Sequence, residues 1–157
     1  FTTSYGRTYR IKGFTTIDIN KDKVPELIIE SADESGISVF IYKKGKVKML
    51  SDWIGQVWAW DKGGEYIEYN PSQKALVVRI HGGTGLSGYD LIQYKKGKMY
   101  TKLNLYMSSY WLDGKVTRSC SYSRQNGNSK ECSYKIYKKF CKQYFTGKKI
   151  FHKDEYT

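Results

Sequence analysis

The hydrophobic pattern has a short period through most of the chain. Ile37, Val39 and Ile41 alternate with Ser38, Phe40 and Tyr42, and a period of two puts alternate side chains on opposite faces of a strand. Runs rich in β-branched and aromatic residues recur over residues 14–19, 26–31, 47–50, 57–60, 66–69, 75–80, 89–94, 99–105, 110–112 and 115–122. Between them lie turn-formers: Lys43-Lys44-Gly45-Lys46, Asp61-Lys62-Gly63-Gly64, Asn70-Pro71-Ser72-Gln73, Lys95-Lys96-Gly97-Lys98 and Asp113-Gly114. Two-residue turns that need positive φ favour Gly, Asn and Asp, so these segments predict tight hairpins. The period changes over residues 133–145. Ile136, Phe140 and Tyr144 fall four apart with Tyr137 and Cys141 beside them, the apolar stripe of one helix. Gly147 stands where that helix would stop, and residues 149–152 predict a last short strand.

One block repeats. Gly36, five residues, then Tyr42-Lys43-Lys44-Gly45-Lys46 recurs as Gly88, five residues, then Tyr94-Lys95-Lys96-Gly97-Lys98. Each copy follows an apolar strand, residues 27–29 in one and 76–78 in the other. The predicted fold is mainly β: antiparallel hairpins in duplicated, propeller-blade-like units with one C-terminal helix. A single domain over residues 1–157 divides into units at 9–55 and 56–105, with a hairpin and helix over 106–157. A closed many-bladed propeller needs more units than this length supplies.

Composition narrows the function. The 157 residues hold 27 Lys and Arg against 15 Asp and Glu, a formal charge of +12. Such a field attracts polyanions, among them nucleic acid and anionic cell-wall polymers; the plainer reading is lysines decorating turns and strand edges. No apolar run is long enough to span a bilayer. With 16% aromatic residues the chain is not a disordered one. A start at Phe1 reads as a processed or trimmed piece. Cys120 and Cys132 flank the turn Gln125-Asn126-Gly127-Asn128-Ser129. A hairpin there would set them opposite each other, open either to a disulfide in an exported protein or to ordinary buried thiols, with Cys141 unpaired.

The sharpest local pattern is Asp18-Ile19-Asn20-Lys21-Asp22-Lys23-Val24-Pro25-Glu26-Leu27. Oxygen-bearing side chains stand at positions one, three, five and nine of a loop between two predicted strands. Alternate residues of a tight loop point oxygens inward, and Ca²⁺ takes six to eight oxygen ligands. Asp18, Asn20, Asp22, the carbonyl of Val24 and Glu26 form the candidate set. The alternative is an Asx-type turn whose carboxylates cap backbone N–H groups.

This loop and its flanking strands resemble the FG-GAP and VCBS-type repeats of integrin-like propellers and secreted bacterial proteins. The match rests on Asp18, Asn20, Asp22, Glu26 and Leu27, and more loosely on residues 9–103, including the hairpin at 36–50 and the Gly-rich segment at 81–88. Lys23 stands where that family has Gly. The resemblance implies an extracellular or cell-surface bacterial domain, bound Ca²⁺, and a role in binding or scaffolding rather than catalysis.

Other patterns speak less for chemistry. Gly83-Thr84-Gly85-Leu86-Ser87-Gly88 spells the glycine spacing of a dinucleotide loop, but a strand is predicted after it where such a site needs a helix. His81 is the residue on which a hydrolase would hinge, and no Gly-x-Ser-x-Gly elbow accompanies it. Trp58 and Trp60 share one strand face, either core or a stacking surface for sugars or bases. Trp58, Trp60, His81 and Tyr89 are the candidate ligand surface. The expectation is therefore a non-catalytic, monomeric binding or scaffold domain with an anionic polymer, glycan or protein as partner. The alternative is a polyanion or carbohydrate module acting through lysines and aromatics.

Overall fold

The computed structural model describes residue 8 and residues 10–31, 36–54, 67–82, 85–125 and 127–150. Within them the chain is mainly β, with two antiparallel sheets and one C-terminal helix. Strands β1 (Ile11–Ile17), β2 (Glu26–Ser31), β3 (Ile37–Lys43) and β4 (Lys46–Ile54) form a meander in chain order. The second sheet begins with β5 (Ile67–Asn70), β6 (Ala75–Gly82), β7 (Leu86–Lys95) and β8 (Lys98–Leu112). It continues through β9 (Lys115–Arg124) and β10 (Lys130–Cys132). After helix α1 (Tyr134–Tyr144), β11 (Lys148–Lys149) returns to pair with β5 at the opposite edge. The order is β10-β9-β8-β7-β6-β5-β11, an open sheet rather than a barrel.

Period-two patterning explains the layers. Along β6, Leu76 and Val78 join Ile19, Ile28, Ile37, Val39 and Ile92 in a core between the two sheets. Their neighbours Ala75 and Val77 face the other way, into a core of Leu91, Leu103, Leu105, Cys120, Tyr137 and Phe145 under the helix. The order is thus sheet, sheet, helix. A strand covered on both faces reads as a continuous apolar run, and Ala75-Leu76-Val77-Val78 is one, each residue at most 2% exposed. Burial of each larger side chain there is worth about 1.5–3 kcal/mol.

The repeated block has a structural counterpart. β2-β3-β4 and β6-β7-β8 are both three-strand meanders, and their last turns share a backbone. Lys44 and Gly45 have φ of 53° and 75°; Lys96 and Gly97 have 53° and 80°. Two consecutive positive φ values make the two-residue turn whose twist matches the flanking strands.

Two elements differ from expectation. The segments predicted at 99–105 and 110–112 are one 15-residue strand, β8. Its pairing with β7 carries one register irregularity, opposite Leu91 and Ile92. Its pairing with β7 ends at Ser108, so the end of β8 and the start of β9 project as a two-stranded ribbon. Trp111 at its tip is 75% exposed. The helix begins after Ser133, whose hydroxyl accepts from the N–H of Ile136 (3.4 Å). Its inward stripe is Tyr137, Phe140, Cys141 and Tyr144; Ile136 is exposed. The aromatic ring of Phe140 meets Tyr122 at a near-right angle with centroids 5.2 Å apart, and Tyr137 takes the buried place that spacing also offered to Ile136.

Candidate functional site

The Asp18–Glu26 loop joins β1 to β2 and is built on side chain-to-backbone hydrogen bonds. The Asp18 carboxylate accepts from the N–H groups of Asp22 and Lys23, both at 2.9 Å. Asn20 Oδ1 accepts from the N–H of Asp22 at 2.8 Å, and Asp22 Oδ1 from that of Val24 at 2.9 Å. Glu26 Oε2 accepts from the N–H of Ile19 at 2.8 Å. The loop turns sharply, with φ of 61° at Lys21 and 74° at Lys23. The second of these is where the resembling family carries Gly, the residue that takes positive φ at least cost.

The donor set is oxygen throughout, which suits a hard cation such as Ca²⁺. Its geometry here is that of successive Asx turns. The amide nitrogen of Asn20 lies 3.0 Å from Asp22 Oδ2 and 3.4 Å from Glu26 Oε1, bridging the two carboxylates. Among the described residues, no group of three or more His, Cys, Asp and Glu side chains is placed to hold a metal ion. Glu26 is 2% exposed. Burial raises its pKa above the ordinary 4.5; the charges of Asp22 and Asp18 add to the rise, and the bond from Ile19 opposes it.

The counterpart loop at the start of the second meander is closed the same way by one neutral side chain. Asn70 Oδ1 accepts from the N–H of Ser72 (3.0 Å), the hydroxyl of Ser72 (2.7 Å) and the N–H of Gln73 (3.1 Å). The shared feature of the two loops is the turn, and only the first brings carboxylates to it.

Beside the acidic loop lies an open groove of about 540 Å³. Its rim carries Lys43 from the β3–β4 hairpin, Lys74 before β6, and Lys95 and Lys96 from the β7–β8 hairpin. The repeated Lys-Lys-Gly-Lys turns thus reach one end of the molecule from two different sheets. All four lysines are exposed, and among the described residues none of them forms an ion pair. Asn20 and Asp22 line the side toward the loop, and Gln93, Tyr94 and Tyr100 the interior. Gln93 is held firmly: its amide donates to the carbonyl of Gln73 at 2.6 Å, and Tyr100 donates its hydroxyl to Gln93 Oε1. Burial pushes the Tyr94 hydroxyl up, with Glu26 and Asp22 adding to it, so that phenol is a neutral hydrogen-bonding group at physiological pH. Four exposed lysines line the groove with Asp22, and the charge of Glu26 also reaches its interior at Tyr94; the lysines outnumber the carboxylates, which favours anions along the lysine rim.

Of the sequence-predicted ligand residues, Tyr89 has a described side chain, and it is not among the groove's lining. Trp58 and Trp60 lie outside the described residues. His81 is on β6, paired in register with Ser87 on β7. Tyr89 packs inward, its ring stacked on Phe145 at 5.0 Å with the Arg79 guanidinium 5.5 Å from its centre. Arg79 is also 3.2 Å from the buried carboxylate of Glu68. Gly85 and Gly88 serve close approach rather than phosphate binding. Gly85 has φ of 80°, and a Cβ there would meet the Ser109 carbonyl oxygen at 2.3 Å. A Cβ on Gly88 would meet the Tyr106 ring at 2.6 Å. β7 begins directly after Gly85 and contains Gly88, so a strand stands where a dinucleotide loop needs a helix.

The groove was foreshadowed by the Lys clusters but not as a site, because nothing local says which hairpin ends meet. No protein-family model, curated protein or solved structure matches this chain. Among the described residues, no helix is long and apolar enough to cross a membrane.

Proposed function

We propose that the chain is a non-catalytic binding domain of the secreted or cell-surface kind, and that it takes an anionic polymer in the lysine-lined groove. The observation that carries this reading is the convergence of Lys43, Lys74, Lys95 and Lys96 on one open cleft. Turn lysines that only suppress edge pairing have no reason to meet, since each protects its own edge. A phosphodiester chain meets both demands of the groove, charge for the ammonium groups and an acceptor oxygen for the Tyr94 hydroxyl. The resemblance of the Asp18 loop to extracellular repeats supports a wall polymer as the natural form of that chemistry.

The test is titration with a polyol-phosphate wall polymer, a DNA oligomer and a neutral glycan at two salt concentrations. Neutralising about four phosphates predicts an affinity loss of roughly a hundredfold between 50 and 200 mM salt. Preference for the wall polymer over DNA supports the wall assignment. Salt-insensitive binding of the neutral glycan would instead favour an aromatic sugar site.

A second reading concerns Ca²⁺ at the loop. Buried Glu26 shares its surroundings with the charges of Asp18 and Asp22, and a divalent cation would relieve that repulsion. Asp18, Asn20, Asp22, Glu26 and the carbonyl of Val24 would hold it, at the expense of present hydrogen bonds to backbone N–H groups. A higher melting midpoint with Ca²⁺ than with chelator supports this reading, and an identical midpoint removes it.

A further inference from the structure

We infer that Cys120 and Cys132 are a disulfide-forming pair, with Cys132 the thiol that reacts first and Cys120 the one that closes the bond. The two residues are directly opposed in the antiparallel ladder of β9 and β10, where Lys130 faces Tyr122, Glu131 faces Ser121 and Cys132 faces Cys120. Directly opposed antiparallel residues have Cα atoms about 4.5–5.5 Å apart. A disulfide accepts Cα separations of about 4.4–6.8 Å, so direct opposition in the ladder brings the two backbones within the range the bond requires. All three cysteines are thiols in this structure.

The order of events follows from exposure. Cys120 is 4% exposed in the core beneath the helix, while Cys132 is partly exposed on the outermost strand of the sheet. An external disulfide such as oxidised glutathione reaches Cys132. The Cys132 thiolate attacks one sulfur of the glutathione disulfide, forms a mixed disulfide and releases one glutathione thiol. The Cys120 thiolate then attacks the Cys132 sulfur, forms the cross-strand bond and expels the second glutathione. The protein loses two electrons and two protons, and the glutathione disulfide accepts them, leaving as two thiols. Burial raises both cysteine thiols above their ordinary value, so without a catalyst the exchange quickens as pH rises.

The bond would act on a weak point of the fold. β10 is three residues long and, among the described residues, has one neighbour, β9. Ser133, the N-cap of α1, follows it at once. Linking Cys132 to Cys120 anchors the strand and the start of the helix to the sheet. Cys141, on the helix, is partly exposed and packs against the same core as Cys120, but it is opposed to neither in the ladder, and the strand pairing is what selects Cys132. Such a linkage persists in oxidising surroundings, the setting proposed above, although the groove would bind its ligand with or without it.

The experiment treats the whole chain with oxidised glutathione, counts thiols after denaturation and maps linked peptides. The expected count falls from three to one, with the Cys120 and Cys132 peptides joined and Cys141 free. Cys120→Ser should stop with glutathione held on Cys132, and Cys132→Ser should leave Cys120 unmodified over the same period. Cys141→Ser should still form the link. The oxidised chain should melt above the reduced one. If either serine variant fails to fold, the wild-type peptide map decides alone. Three surviving thiols, a link that includes Cys141, or a mixed disulfide that never resolves in the wild type would overturn the inference.

Discussion

The hydroxyl of Tyr69 on β5 reaches the backbone carbonyls of Asp18 and Ile19, at 3.1 and 3.2 Å. One side chain of the second sheet thereby holds the acidic loop of the first against the body of the molecule. Nearby, Ile19 is fully buried and gives its N–H to Glu26, so the loop is fixed from inside and from outside. Tyr69→Phe removes the outer tie alone. The expected cost is about 0.5–1.5 kcal/mol, with faster hydrogen exchange at the N–H groups of Asp22, Lys23 and Val24. Unchanged exchange there would show that the loop holds itself.

Glu26 makes part of the stability pH-dependent. Its folded pKa is raised by burial and then by Asp22 and Asp18, so the folded state binds its proton more readily than the unfolded chain. Its contribution to stability is therefore complete below the unfolded value near 4.5 and is lost as pH rises through the folded value. Chemical denaturation of wild type and Glu26→Gln across this range measures it. Wild type should gain on the variant as pH falls from neutral. A difference that is constant or grows with pH contradicts the assignment.

The packed middle and the projecting end of β8 set a contrast in tolerance. Leu105 is fully buried beneath the helix, whereas Trp111 on the projecting ribbon is 75% exposed. Leu105→Ala should cost about 2–5 kcal/mol and Trp111→Ser less than about 0.5 kcal/mol. Denaturant midpoints check both. A large loss at Trp111 would mean that the ribbon is covered in solution.

Much of this architecture is legible one segment at a time. The alternation from Ile37 to Ile41 places a strand, and Lys-Lys-Gly-Lys places a turn, because each depends only on neighbours in sequence. The positive φ of Lys23 is legible too, since the loop pattern demands a sharp bend there. What lies beyond local pattern is where separate segments meet. Nothing near Lys43 announces that it will share a groove with Lys74 and Lys95, and nothing near Tyr69 announces Asp18. The stripe of α1 is displaced for the same reason. Spacing admits Ile136 or Tyr137 as an inward residue, and the sheet beneath, with Cys120, Leu105 and Tyr122, takes the tyrosine.

The groove is also where the resemblance to extracellular repeats and the charge arithmetic come together. The acidic loop that carries the first lines the cleft whose lysines express the second. Substitution of Lys95 by Gln takes one exposed ammonium from the rim and touches no core contact. The most direct measurement is the salt dependence of wall-polymer affinity for wild type and Lys95→Gln. Polymer lying in the groove predicts that the logarithmic slope falls by about one while the melting midpoint stays unchanged. An unaltered slope in a variant that still binds would show that the polymer lies elsewhere and would contradict the account.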